Sequence, residues 1–193
     1  MTDLENKIYD GCKEIYDHCY DIIETMSTCI KTFMDSKGVT DYNPEVTLIK
    51  FDVLLQYSLL QIATADYDID KNEIVFIRGL TKKGDLVNYI NVNSSGGTPI
   101  TWDMIYRADV LDVRKALDLL KSEIVKLSKE FVMVFSTCDL ATPEYDFFSD
   151  LVDGVFCIIK GLASMDGKIE CSEADADCLI LDTLEEIKKI KCQ

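Results

Sequence analysis

Between Asp3 and Met34 the apolar side chains fall at Leu4, Ile8, Cys12, Ile15, Cys19, Ile22, Met26, Ile30 and Phe33. Steps of three and four describe a long amphipathic helix with one buried stripe. Gly38 predicts the end of that helix, and Asp41-Tyr42-Asn43 reads as a polar loop closing on an N-cap. Pro44 then takes the first helical position, where its missing N–H costs nothing. The next helix, to about Ala65, is apolar on most sides through Leu48, Ile49, Phe51, Leu54, Leu55, Leu59 and Ile62, so it is expected at the centre of its half. A third helix is predicted from about Lys71 to Lys83 with Gly84 as its C′ residue, and a short fourth over Asp85 to Asn91.

The segment Asn93-Ser94-Ser95-Gly96-Gly97-Thr98-Pro99 is the strongest break in this pattern. Beyond it the plan restarts. Val110 to Phe135 is amphipathic through Val113, Leu117, Leu120, Ile124, Leu127, Phe131 and Val134. Thr142 and Pro143 read as the cap and opening of a helix passing Phe147, Leu151, Val155, Ile158, Ile159 and Leu162, and Ser172 to Lys191 as a last helix. Strand-like alternation is confined to VNYINV at 87–92, too isolated to build a sheet. The expected fold is all-α: a single compact helical domain over 1–193, with two similar three-helix halves, 1–92 and 101–193, joined by the Ser/Gly loop 93–100.

A repeated motif supports that division. Residues 63–73 read ATADYDIDKNE and residues 163–173 read ASMDGKIECSE, one hundred positions on. Without a gap, Ala63 matches Ala163, Asp66 matches Asp166, Ile69 matches Ile169 and Glu73 matches Glu173. The shared pattern is a helix end, an acidic turn, an isoleucine and a helix start, as two copies of one supersecondary unit would show.

Two explanations of the turns compete. Asp70 followed by Glu73 is a capping box with Asp in the cap position, and Ile69 just before it is placed as an apolar staple. Carboxylates at a helix start also suit the helix dipole. Alternatively the carboxylates gather around a cation. Asp66, Asp68, Asp70 and Glu73 crowd the first turn, and Asp166, Glu170 and Glu173 the second, where like charges repel unless something positive lies among them. Oxygen-only ligands suit calcium or magnesium rather than zinc or copper. The D-x-D-x-D opening imitates an EF-hand, but Lys71 replaces its sixth-position glycine and Ile77 its twelfth-position glutamate, which excludes that loop. Gly167 can adopt a positive φ that Tyr67 resists, so the second turn is expected to bind better.

The motif pair resembles the tellurite-resistance TerB-like family, whose members are all-helical and carry A-x-x-D-G-x-I-x-x-x-E between two helices, often twice. Ala163, Asp166, Gly167, Ile169 and Glu173 fit that form; the first copy keeps Ala63, Asp66, Ile69 and Glu73 but has Tyr67 for the glycine. The resemblance implies a stress-related, non-enzymatic protein whose acidic residues are candidate metal ligands. Tellurite resistance itself does not follow from it.

Composition narrows the remaining classes. A hydrophobic share of 48% over 193 residues is enough for a real core, and a formal charge of −15 repels nucleic-acid phosphates and anionic membranes. The beginning MTDLENKIYDG lacks a secretory apolar region, and the apolar-leaning run Val53 to Ala65 is short for a bilayer, so a cytoplasmic protein without membrane insertion is expected. The eight cysteines include pairs seven apart, Cys12 with Cys19 and Cys171 with Cys178, and no C-x-x-C. They are expected to be reduced, buried, small hydrophobes on helix faces.

Catalytic patterns are weak. The single histidine, His18, adjoins Cys19, but neighbouring helix positions diverge by about 100°. No E-x-x-H, P-loop or dinucleotide fingerprint occurs. The expectation is therefore a non-catalytic acidic scaffold or stress-response protein, with a divalent cation at its acidic turns. The alternative is a protein–protein interaction or self-association module whose acidic turns only cap helices, and an enzyme ranks last.

Overall fold

The computed structural model describes residues 1–64, 69–94, 98–106, 113–138, 146–165, 181–182 and 185. The fold is all-α, and no strand occurs among the described residues. In chain order the helices are α1 (Asp3–Ser36), α2 (Pro44–Ala63), α3 (Lys71–Leu80), α4 (Leu86–Asn93), α5 (Trp102–Tyr106), α6 (Val113–Thr137) and α7 (Phe147–Leu162). The VNYINV run belongs to α4.

Local chemistry sets most helix ends. Thr2 and Glu5 form a capping box at the start of α1, with the Thr2 N–H donating to Glu5 Oε2 at 2.6 Å. At its other end Gly38 has φ of 78°, the Gly38 N–H reaches Asp35 O at 3.0 Å and the Val39 N–H reaches Met34 O at 3.0 Å. That pair of bonds is a Schellman closure, which needs the left-handed residue glycine supplies. Asn43 Oδ1 accepts from the Glu45 N–H at 3.0 Å, so Pro44 sits at N1 as its position implied.

Several boundaries differ from the sequence reading: α4 ends at Asn93, two residues beyond Asn91, and α5 is a helix the sequence reading does not include. α3 stops at Leu80, three residues early, because the chain over 81–86 is bonded to α2 instead of continuing the helix. α7 begins at Phe147, where Asp146 Oδ1 accepts from the Ser149 N–H at 3.1 Å; Thr142 and Pro143 lie outside the described residues. α6 runs from Val113 to Thr137, two residues beyond Phe135. Of the final helix anticipated over 172–191, Leu181, Asp182 and Glu185 are described, and all three are helical.

The core is shared by α1, α2, α6 and α7, with α3 adding Phe76, Ile77 and Leu80. α1 packs most extensively on α7 and α2 on α6, while α1 also lies along α6. α2 is central, touching α1, α3, α4, α6 and α7. By length and composition alone α2 is apolar enough to cross a membrane, but 67% of its most apolar stretch is buried within the chain. A smaller cluster of Val53, Leu60 and Leu86 holds α4 and α5 against the outer side of α2, with Trp102, Ile105 and Ile69 packed on it.

The α1–α7 seam depends on two glycines. A Cβ on Gly154 would collide with Cys19 Sγ, and one on Gly161 with Cys12 Sγ. The seven-residue spacing of the thiols on α1 thus matches a seven-residue spacing of glycines on α7. Because Cys19 meets the earlier glycine and Cys12 the later one, the helices run antiparallel. Cys12 and Cys19 are buried as expected, but Cys138 and Cys157 are exposed, which corrects the reading of the cysteines as uniformly buried. All five described cysteines are unbridged; Cys171, Cys178 and Cys192 lie outside the described residues.

Candidate functional site

The first acidic turn enters the described structure at Ile69. Ile69 is half-buried against the small apolar cluster, which draws the chain in ahead of α3. Asp70 is the N-cap. Its Oδ1 accepts from the Asn72 N–H at 3.2 Å, its carboxylate also accepts from the Glu73 N–H, and its own N–H donates to Glu73 Oε2 at 2.8 Å. Glu73 is 7% exposed, so its half of the capping box is shielded from water, while Asp70 lies at the surface. The Asn72 side-chain amide extends the arrangement by donating to Glu5 Oε2 at 3.2 Å. The N-termini of α1 and α3 are thereby tied together, each with a carboxylate facing the positive end of its helix.

The other candidate ligands fall elsewhere. Asp66 and Asp68 of the first turn, and Asp166, Glu170 and Glu173 of the second, lie outside the described residues, as does Ile169. Among the described residues no three His, Cys, Asp or Glu side chains are gathered so that they could hold a metal. Asp70 and Glu73 are together, but as partners of backbone N–H groups.

Among the described residues, a densely bonded polar cluster outside the acidic turns lies on α2. Asp52 is fully buried. Its Oδ1 accepts from the Tyr16 hydroxyl at 2.7 Å, and its Oδ2 accepts from the Lys83 and Gly84 N–H groups at 2.8 Å each. Tyr16 in turn accepts from the Lys82 N–H at 2.9 Å. One turn further along α2, the Gln56 amide donates to Thr81 Oγ1 at 2.7 Å and accepts from the Leu86 N–H at 2.7 Å. Gly84 must be small here, since a Cβ would come within 2.5 Å of Asp52 Cβ and 2.7 Å of the Ile49 carbonyl oxygen. This is a different role from the left-handed helix terminator expected of it. Lys13 completes the join by donating Nζ to Leu80 O at 2.5 Å, satisfying a carbonyl at the end of α3.

Burial also sets the acidity of these groups. The Tyr16 hydroxyl is held far above the usual phenol range, first by burial and then by the Asp52 charge it faces. Burial pushes Cys12 up to about 11 and Cys19 up to about 12, with nearby Cys157 adding to both. These are protonated packing groups at neutral pH rather than nucleophiles. His18 is 57% exposed with Nε2 3.9 Å from Asp150 Oδ2, whereas Cys19 is fully buried and directs its thiol toward Leu151 O. The two neighbours share no site.

One sequence signal did mark the α2 cluster. Asp52 and Gln56 stand one turn apart on a single face of the largely apolar α2. No family model matches the chain, and no match was found among curated proteins or solved structures.

Proposed function

We propose that this chain is a non-catalytic acidic helical scaffold of TerB-like build, which offers a negatively charged surface to protein partners or to a second copy of itself. The observation that carries the reading is the use of the polar side chains. Tyr16, Asp52 and Gln56 hold one helix to the next, and Asp70 and Glu73 cap the start of α3. The net charge of −15 favours basic partner surfaces and disfavours nucleic acid. We also read 1–92 and 101–193 as copies of one plan. Exchanging α1 with α6 and α2 with α7 maps the α1–α7 contact onto the next most extensive one, α2–α6, whereas among the described residues the α1–α2 contact has no counterpart of similar extent between α6 and α7. A stress-related role rests on the resemblance of the two motifs.

In its fuller form the proposal adds a calcium or magnesium ion at the second turn, held by Asp166, Glu170 and Glu173. The capping box at Asp70 and Glu73 favours structural use of the first turn, which concentrates the cation reading on the second. Calorimetric titration with calcium and with magnesium, paired with melting curves at matched ionic strength, tests it. A cation at ten times its Kd adds about 1.4 kcal/mol to the folded state. Wild type should melt higher by a few degrees, Asp166→Asn and Glu173→Gln should lose the shift, and Glu73→Gln should keep it. Equal melting temperatures with and without either cation would leave the interaction module with purely structural caps.

A further inference from the structure

We draw no further inference here: the strongest candidate, the half-open apolar cavity of about 200 Å³ between α2, α4 and α5, lined by Tyr57, Leu60, Leu86, Ile90 and Ile105, carries nothing because nothing in the structure shows what covers it.

Discussion

Along α1, Cys12 and Cys19 meet α7 at two glycines, whereas Tyr16, between them in sequence, turns to α2 and hydrogen-bonds Asp52. The first contact is one of shape. It rests on the absence of two Cβ atoms, and the attraction is dispersion and burial summed over a close approach. The second contact is directional. A single carboxylate takes three hydrogen bonds from two different segments, and each donor is buried or half-buried. Their failure modes should differ accordingly. A packed seam can be rescued by a compensating change of volume, but a buried acceptor cannot be replaced by any apolar side chain while its donors remain.

The largest effect should follow from Asp52→Ala. The Tyr16 hydroxyl and the Lys83 and Gly84 N–H groups would lose their acceptor, and buried unmet donors cost about 1–3 kcal/mol each. A loss of about 3 kcal/mol or more in urea unfolding is expected, with a smaller loss for Asp52→Asn, which keeps the shape and one oxygen. Gly84→Ala should act through the same join, because the new methyl meets Asp52 Cβ and a backbone oxygen, neither of which has a rotamer to yield. Combining Gly84→Ala with Asp52→Ala should then cost less than the sum. Full additivity would mean that the 81–86 segment is not held by Asp52.

This join also marks where reading the chain succeeds and where it stops. The Gly38 terminus, the Asn43-Pro44 start and the Asp70–Glu73 box follow from interactions within a few residues and appear as read. The stripe on α1 is wider than read, with Tyr16, Tyr20 and Ile23 also buried and Leu4 exposed. The end of α3 does not follow from nearby residues, because its cause lies in Asp52 and Gln56, far earlier in the chain. Helical propensity through Lys82 and Lys83 is overridden by hydrogen bonds from another helix. Gly84 carries the same ambiguity: a glycine after a helix signals a left-handed cap or a close approach, and only the neighbour decides. The matched spacing of thiols and glycines was present in the sequence, but nothing local says that α7 rather than α2 lies over α1. For the candidate site, the pairing of Asp70 with Glu73 was legible as a cap, while the α2 cluster was signalled only by polar residues one turn apart in a largely apolar helix.

The seam comes next. Gly161→Ala should destabilise by about 1–2 kcal/mol, since overpacking outweighs the roughly 1 kcal/mol that alanine gains in a helix interior. Cys12→Ala should leave a small void and a modest cost of its own. Together they should recover most of the loss, because the added methyl occupies the space the thiol leaves. Gly154→Ala with Cys19→Ala should behave alike. If the double variants were as unstable as the sum of the single ones, shape would not be what holds α1 to α7.

Thiol chemistry sharpens the same contrast at smaller amplitude. With Cys12 raised from 9.0 to about 11, its thiolate at pH 8 is about a hundredfold scarcer than that of an ordinary thiol. A thiol reagent should therefore label Cys138 and Cys157 well before Cys12 and Cys19, which should react only on unfolding. The folded state holds the Cys12 and Cys19 protons more tightly than the unfolded chain does. Their contribution is fully present below pH 9 and is lost as pH rises toward about 11 for Cys12 and about 12 for Cys19. Stability should fall over that alkaline window, and less steeply in the Cys12→Ala, Gly161→Ala double variant. Labelling of Cys12 as fast as Cys157 in the native protein would show the seam opening readily.

The smallest effect belongs to the first acidic turn, which repeats the Asp52 arrangement nearer the surface. Asp70, like Asp52, accepts from two backbone N–H groups, but Asp70 is exposed and water can take its place. Asp70→Ala should therefore cost about 1 kcal/mol, the ordinary value of an N-cap, against about three or more for Asp52→Ala. Glu73→Gln keeps an oxygen for the Asp70 N–H and loses only the charge favoured by the helix dipole, so about 0.5 kcal/mol is expected. Neither loss should change when calcium or magnesium is added, because these carboxylates are engaged with α3 itself. A cation-dependent loss at Asp70 or Glu73 would place a ligand at the first turn and overturn its reading as a cap. A loss at Asp70 as large as that of Asp52→Ala would show that burial, the main feature separating the two carboxylates, does not govern their worth.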